Sequence, residues 1–146
     1  MQYNIIVGTN LTATGTGANG GAQSSNAVIG RLITFTNCNS SVLIGTNHNC
    51  TSQTDTIAVG NNLDFTSTLT SGSILIGKDC TSTPTGASAY KDILIGQSIQ
   101  SSSNGTANTG SILIGKNIVS PTGGNVVISP TNLTIPGGGG TSVYIG

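Results

Sequence analysis

The most regular pattern in the sequence is a triplet of apolar residues that recurs along the whole chain. Neighbouring copies lie between 14 and 22 residues apart. Strands this short cannot form an independent sheet, whereas stacked coils bury one continuous core. The repeat therefore predicts an all-β parallel β-solenoid, or β-roll, of about eight to nine short coils. The nine triplets are Ile5–Val7, Ala27–Ile29, Val42–Ile44, Ile57–Val59, Ile74–Ile76, Ile93–Ile95, Ile112–Ile114, Val126–Ile128 and Val143–Ile145.

The residue after the triplet is glycine in eight of the nine copies. The third apolar residue is always β-branched, which favours a pleated strand. Glycine lets the chain turn through positive φ or pass close to a neighbouring coil. Ser129 replaces it in one copy, and that coil is expected to turn differently. The predicted structural turn residues are Gly8, Gly30, Gly45, Gly60, Gly77, Gly96 and Gly115.

A weaker second strand is predicted after each glycine. Residues three and five positions after the glycine alternate with polar ones, so period two places both on one face, which we expect to point inward. Leu63 and Phe65 occupy these positions in one coil, and His48 and Cys50 in another. The Ser/Thr/Asn/Gly-rich segments that follow, such as 14–26 and 101–110, are predicted to be loops of variable length on one side.

The middle residue of the triplet is also apolar, and in several copies it is large. Uninterrupted apolar runs are typical of strands that are buried on both faces. We therefore expect one face of the strand to fill the core and the middle residues to meet a partner, because a ladder of exposed leucines would exceed the apolar patch of an ordinary monomer. The candidate oligomer interface comprises Leu43, Leu75, Leu94, Leu113, Val127 and Tyr144.

The segments 41–45, 73–77 and 111–117 resemble the head repeat of trimeric autotransporter adhesins, which has a Ser or Asn, an apolar triplet, a glycine and a short second strand. Similar repeats occur in phage and large-virus fibre proteins. The resemblance covers nearly the whole chain and implies a left-handed parallel β-roll, three of which pack around a threefold axis. The chain departs from the family in its large middle residues, which are usually Ala there, and in its uneven coil lengths. The interface is therefore expected to be bulkier or arranged differently.

The low charge of the chain excludes several classes of partner. It has four basic and four acidic residues among 146, or 5% charged, against about one quarter in an ordinary soluble domain. Such a chain lacks the Lys and Arg that bind nucleic acid or anionic lipid. No apolar run approaches the ~18 residues of a membrane span, so no membrane insertion is expected. No signal peptide is visible, and the expected location is a virion or an extracellular appendage.

His48, Cys50 and Cys38 are the side chains that come nearest to a chemical site. A metal site needs three or four ligands at suitable spacing, and a Cys–His nucleophile pair would lack an orienting third group. Cys80 is expected to lie two coils from Cys50, about 10 Å away and too far for a direct bridge. We expect His48 and Cys50 to pack as core residues, the cysteines to form no disulfide framework and one thiol to stay unpaired. No catalytic, cofactor-binding or metal-binding residue is predicted.

Threonines recur four and six positions after the glycines, on the opposite face from the inward rows. The pairs Thr12/Thr14 and Thr34/Thr36 begin a ladder that resembles the ice-binding face of solenoid antifreeze proteins. Asn49 and Asp64 interrupt it. The alternative interpretation is a solvated or intermolecular polar strand.

The expected function is structural. We expect residues 1–146 to form a single β-solenoid domain without caps, and the chain to be a trimeric fibre, spike or decoration component of a virion or phage. It is not expected to be an enzyme, since four scattered Asp residues make no carboxylate cluster. The expected partner is the chain itself, as a homotrimer or in axial stacks that cover open ends, with a host-surface glycan or protein as a further partner. Two alternatives are an extracellular filament subunit that stacks head to tail and an ice-binding β-solenoid.

Overall fold

The computed structural model contains only β-strands and their connections among the residues that it describes. These are residues 3–14, 25–36, 38, 40–51, 55–66, 72–83, 91–102, 110–121, 124–136 and 141–146. The strands form two parallel sheets whose inward side chains make one apolar cluster. The predicted fold class, an all-β parallel β-solenoid, is confirmed.

The first sheet, sheet A, has nine strands in the order of the chain, and each strand is parallel to the next. Each strand contains one of the apolar triplets. The strands are β1 (Tyr3–Thr9), β3 (Ser25–Arg31), β5 (Val42–Thr46), β7 (Ile57–Asn61), β9 (Ile74–Lys78), β11 (Ile93–Gln97), β13 (Ile112–Lys116), β15 (Val126–Ser129) and β17 (Val143–Ile145).

The second sheet, sheet B, has eight shorter strands that stack in the same sequence. We call a strand of sheet A together with the strand of sheet B that follows it a coil, and number the coils along the chain. The strands of sheet B are β2 (Thr12–Thr14), β4 (Thr34–Thr36), β6 (Asn49–Thr51), β8 (Asp64–Thr66), β10 (Thr81–Ser82), β12 (Gln100–Ser101), β14 (Ile118–Ser120) and β16 (Leu133–Thr134).

The coils stack in strict register. Leu94 pairs with Leu75 on one side and Leu113 on the other, and Ile95 and Gly96 continue the same columns. Backbone hydrogen bonds also join neighbouring coils at the corner between the sheets, for example from the Ser98 amide to the Lys78 carbonyl (2.9 Å). Each position of the repeat therefore becomes a straight row of side chains along the solenoid.

The glycine after each of the first seven triplets lies inside its strand of sheet A, and the corner towards sheet B comes two residues later, where the residue has a left-handed φ of 53–57°. Gly96 has φ 143°, and a Cβ atom there would lie 1.8 Å from the carbonyl oxygen of Gly115 in the next coil. Both the positive φ and the close approach require glycine. Ser129 takes the glycine position at the end of β15, and its hydroxyl donates to the Thr131 carbonyl (3.2 Å). The seven predicted turn glycines, which have φ between 134° and 149°, are Gly8, Gly30, Gly45, Gly60, Gly77, Gly96 and Gly115.

The middle residues of the seven triplets on strands β3 to β15 point into the core, so the predicted role of the buried ones as an oligomer interface is wrong. Tyr144, on the last strand, is half-buried and packs against the core cluster. Side chains alternate across a strand, so burial of the middle residue turns the first and third residues outward. The buried members of the predicted interface, each with 0% exposure, are Leu43, Leu75, Leu94, Leu113 and Val127.

The inward rows of sheet B lie where the period-two pattern places them. Residues three positions after the glycine are buried, among them Ile33, His48, Leu63, Cys80, Ile99 and Ile118. Residues five positions after it are buried as well, among them Cys50, Phe65, Ser82, Ser101 and Ser120. These rows meet the middle residues of sheet A and complete the core.

The two sheets compensate each other in side-chain volume. In coil 4 the small Ala58 of sheet A accompanies Leu63 and Phe65 of sheet B, whereas in coil 6 Leu94 accompanies Ser101. Protein interiors are close-packed, so a large residue in one layer calls for a small one in the layer that it meets.

A buried polar contact closes each of two connections between coils. The Ser82 hydroxyl donates to the Asp92 carboxylate (2.8 Å), and the Asn125 amide donates to the Ser120 hydroxyl (2.9 Å). The other Asp92 oxygen accepts from the Ser111 amide (2.9 Å).

The predicted loops over 14–26 and 101–110 lie mostly outside the described residues.

Candidate functional site

The outer surface of sheet A is a continuous apolar strip, which we call the apolar face. It consists of the first and third residues of the triplets, which form two parallel rows. Ten of the twelve exposed large apolar side chains among the described residues belong to it. These ten are Ile5, Val7, Ile29, Ile44, Ile57, Ile76, Ile112, Ile128, Val143 and Ile145.

The apolar face is bordered by a polar row one position after the glycines. Arg31, Lys78 and Lys116 lie in this row, so it contains three of the four basic residues of the chain. Neither apolar row contains a charged side chain. An apolar centre with a polar, charged rim is the usual arrangement of a protein–protein interface.

The size of this surface matches an interface. Nine strands at about 4.8 Å spacing give a length of about 38 Å, and the two apolar rows together with the bordering polar row, each about 7 Å apart, cover about 20 Å. The surface is therefore roughly 800 Å², close to the ~800 Å² that each partner contributes to a standard interface. The two apolar rows account for roughly 500 Å² of this surface, which is at the upper end of the apolar patches that ordinary monomers expose.

The outer surface of sheet B, which we call the polar face, has short hydroxyl and amide side chains instead. Asn49 donates to the carboxylate of Asp64 (3.2 Å), and so does the hydroxyl of Thr66 (2.9 Å). These bonds engage the side chains at the centre of the threonine ladder with one another. Gln100 and Ser102 in coil 6, and Val119 and Pro121 in coil 7, end the ladder.

His48 is a core residue. It is 2% exposed; its Nε2 lies 3.0 Å from the Ile44 carbonyl, and its Nδ1 lies 3.4 Å from the Leu63 amide nitrogen. A neutral imidazole that is protonated on Nε2 satisfies both contacts, since it donates to the carbonyl and accepts from the amide. Burial lowers the pKa of His48 below its ordinary value of 6.5, against the opposing effect of the Ile44 contact.

Cys38 and Cys50 form a disulfide, contrary to the expectation of no disulfide framework. The chain after β4 folds back into the core, so that Cys38 is 5% exposed and Cys50 is 0% exposed. Spacing alone could not show this return, because Cys38 lies outside the strands. Cys80 is a buried free thiol, and burial raises its pKa.

The structure brings together no recognisable chemical site among the residues that it describes. No group of three or more His, Cys, Asp or Glu residues in these segments is placed to hold a metal ion. The same segments contain no helix long and apolar enough to span a membrane. The surface with the clearest capacity for binding is therefore the apolar face.

An outward apolar surface was predictable from the sequence, but it consists of the first and third residues of the triplets and not of the middle ones. An apolar triplet has no polar position to show which side is buried. The volume compensation between Ala58 and Phe65 was the available signal, since only residues that meet across a core vary together in size.

Comparison of the chain with protein-family models, with curated proteins and with solved structures finds no match.

Proposed function

We propose that this chain is a structural β-solenoid module that assembles with copies of itself through the apolar face. The observation that carries the proposal is the concentration of ten of the twelve exposed large apolar side chains on one side of the molecule. Burying apolar surface contributes about 25 cal/mol per Å² before the costs of association. That contribution favours a stable assembly.

A second copy of the chain is the occupant that suits this surface best. The two apolar rows are straight and uncharged, and every side chain in them except that of Ala27 is β-branched. An identical strip on another copy has the same length and the same spacing of rows. The basic residues lie in a row at one edge, where solvent can hydrate them in the assembly.

Three copies around a common axis are the proposed arrangement, in keeping with the resemblance to trimeric adhesin and viral fibre repeats. The role proposed is that of a fibre, spike or decoration component of a virion or phage. The polar face would then point outward, where it is available to a host-surface glycan or protein. The Cys38–Cys50 disulfide supports a location outside a reducing cytosol.

Sedimentation equilibrium of the purified chain over a wide concentration range tests the proposal. We expect a discrete species of three times the 14.5 kDa of one chain. Polymers that grow with concentration would favour the head-to-tail filament instead. A chain that stays monomeric at about 100 μM would overturn self-association, because at that concentration an interface of this size would be occupied.

A further inference from the structure

The disulfide joins two successive coils at one place in the solenoid. Cys38 follows β4 of coil 2, and Cys50 is the central residue of β6 in coil 3. In the sheet B ladder, Cys50 lies in register between Phe35 and Phe65. The bridge therefore closes the path of the chain around one turn of the fold.

Coil 3 has little apolar volume of its own on the sheet B side. Where coil 4 places Leu63 and Phe65, coil 3 places His48 and Cys50. His48 holds its position by contacts to the backbone of Ile44 and Leu63. The disulfide and this neutral imidazole take the place of the large side chains found in the next coil.

We propose that the Cys38–Cys50 bridge is a redox-controlled lock on coil 3, closed in an oxidising medium and opened by a dithiol reductant. A thiolate of the reductant attacks one sulfur of the bridge, which forms a mixed disulfide and releases the other cysteine as a thiolate that takes up a proton. The second thiol of the reductant then displaces the remaining cysteine and closes its own disulfide. Two electrons pass from the dithiol to the bridge, and the chain gains two thiols.

Access to the bridge depends on local opening. Both sulfurs belong to buried residues, so a reductant reaches them only when coil 3 separates from its neighbours. Cys80 does not exchange with the pair in the folded chain, because it lies two coils away from Cys50, about 10 Å along the axis. The lock therefore involves only Cys38 and Cys50.

Once the bridge is open, the segment from Cys38 to Cys50 regains the freedom that the closed ring removed. Closing a ring of this size restricts the unfolded chain substantially. We expect amide hydrogen exchange within residues 42–51 to accelerate at least tenfold on reduction, and by a larger factor than exchange within residues 93–97. The melting temperature should fall by roughly 5–10 °C.

The experiment compares the purified chain before and after dithiothreitol, with Cys80→Ser as the matched control. Thiol titration of the unfolded chain should count one thiol before reduction and three after it in the wild type, and none and two in Cys80→Ser. Amide hydrogen exchange in coil 3 should accelerate on addition of dithiothreitol in both the wild type and Cys80→Ser. In the double variant Cys38→Ala/Cys50→Ala, amide hydrogen exchange in coil 3 should be rapid and should not change when dithiothreitol is added.

Three titratable thiols before reduction would overturn the proposal, and so would a bridge whose reduction leaves exchange in coil 3 unchanged. If the double variant fails to fold, thiol titration and amide hydrogen exchange of the wild type with and without reductant still test the proposal. Sedimentation in both redox states separates this proposal from the proposed function, because the lock concerns exchange within coil 3 and not the number of chains.

Discussion

The apolar face and the polar face are built on the same backbone pattern and differ almost only in side-chain chemistry. Both consist of parallel strands in strict register, and both present rows that contain β-branched residues. Val and Thr have nearly the same shape, but the hydroxyl of Thr makes the exchange non-conservative. Backbone ladders and inward core residues are common to both sides, so the outward residues determine what each side of the solenoid contacts.

The largest effect that we expect comes from placing charges on the apolar face. Ile76→Asp combined with Ile114→Asp should weaken self-association at least a thousandfold, or about 4 kcal/mol, because both carboxylates would be desolvated in the interface. Sedimentation equilibrium measures the change. The matched control is Thr34→Asp with Thr134→Asp on the polar face, which should leave the mass of the assembly unaltered. Equal loss of assembly in both variants would contradict the distinction between the faces.

The next largest expected effect is a difference in stability loss between two neighbouring residues of β11, the inward Leu94 and the outward Ile95. Leu94→Ala should lower the free energy of unfolding by about 3 kcal/mol, since it leaves a cavity in the core. Ile95→Ala should lower it by less than about 1 kcal/mol in the monomer, because that side chain is partly solvated. Urea denaturation at a concentration where the chain is monomeric tests the pair. A reversed order of the two losses would mean that the inward and outward rows are misassigned.

A smaller effect is expected from disturbing the volume balance between the sheets. Ala58→Leu should cost about 2 kcal/mol of stability, because it overfills the layer that contains Phe65. Adding Phe65→Leu should recover about 1 kcal/mol relative to the sum of the two single losses. A double-mutant cycle by urea denaturation gives this coupling. Strict additivity would show that Ala58 and Phe65 do not compete for space.

The smallest expected effect is a dependence of the free energy of unfolding on pH, which comes from His48 on the inner side of sheet B. Burial depresses the pKa of His48 in the folded chain, so the unfolded chain binds the proton more readily. Stability is therefore fully present above pH 6.5 and falls as the pH drops below that value, by at most about 1.4 kcal/mol per pH unit for one proton. Thermal unfolding between pH 7.5 and 5 measures this slope. His48→Leu should flatten it, and an unchanged slope in that variant would assign the effect to another group.

Much of the fold was predictable from the sequence, because the repeat marks its own strands and turns. Gly96 is required by its backbone geometry, and Leu63 and Phe65 alternate with polar neighbours, so their burial follows from period two. The orientation of sheet A was not predictable in the same way, because Ile93, Leu94 and Ile95 are all apolar.

The cysteine pair shows a second limit of the sequence. Cys38 lies between strands, where the repeat does not specify the position of a side chain. The Cys38–Cys50 disulfide depends on the chain folding back after β4, and no periodicity marks such a return. A residue outside the repeating strands has to be placed by its tertiary contacts.

The buried contacts between coils have a consequence for how this molecule could be altered. Ser82 and Asp92 are ten residues apart, whereas Ser120 and Asn125 are five apart, yet each pair makes a similar hydrogen bond at the same corner. The spacing of the coils is therefore independent of the number of residues between the two partners. Insertions at this corner should leave the pitch unchanged, which makes it the natural position for grafting foreign peptides or for length variation during evolution.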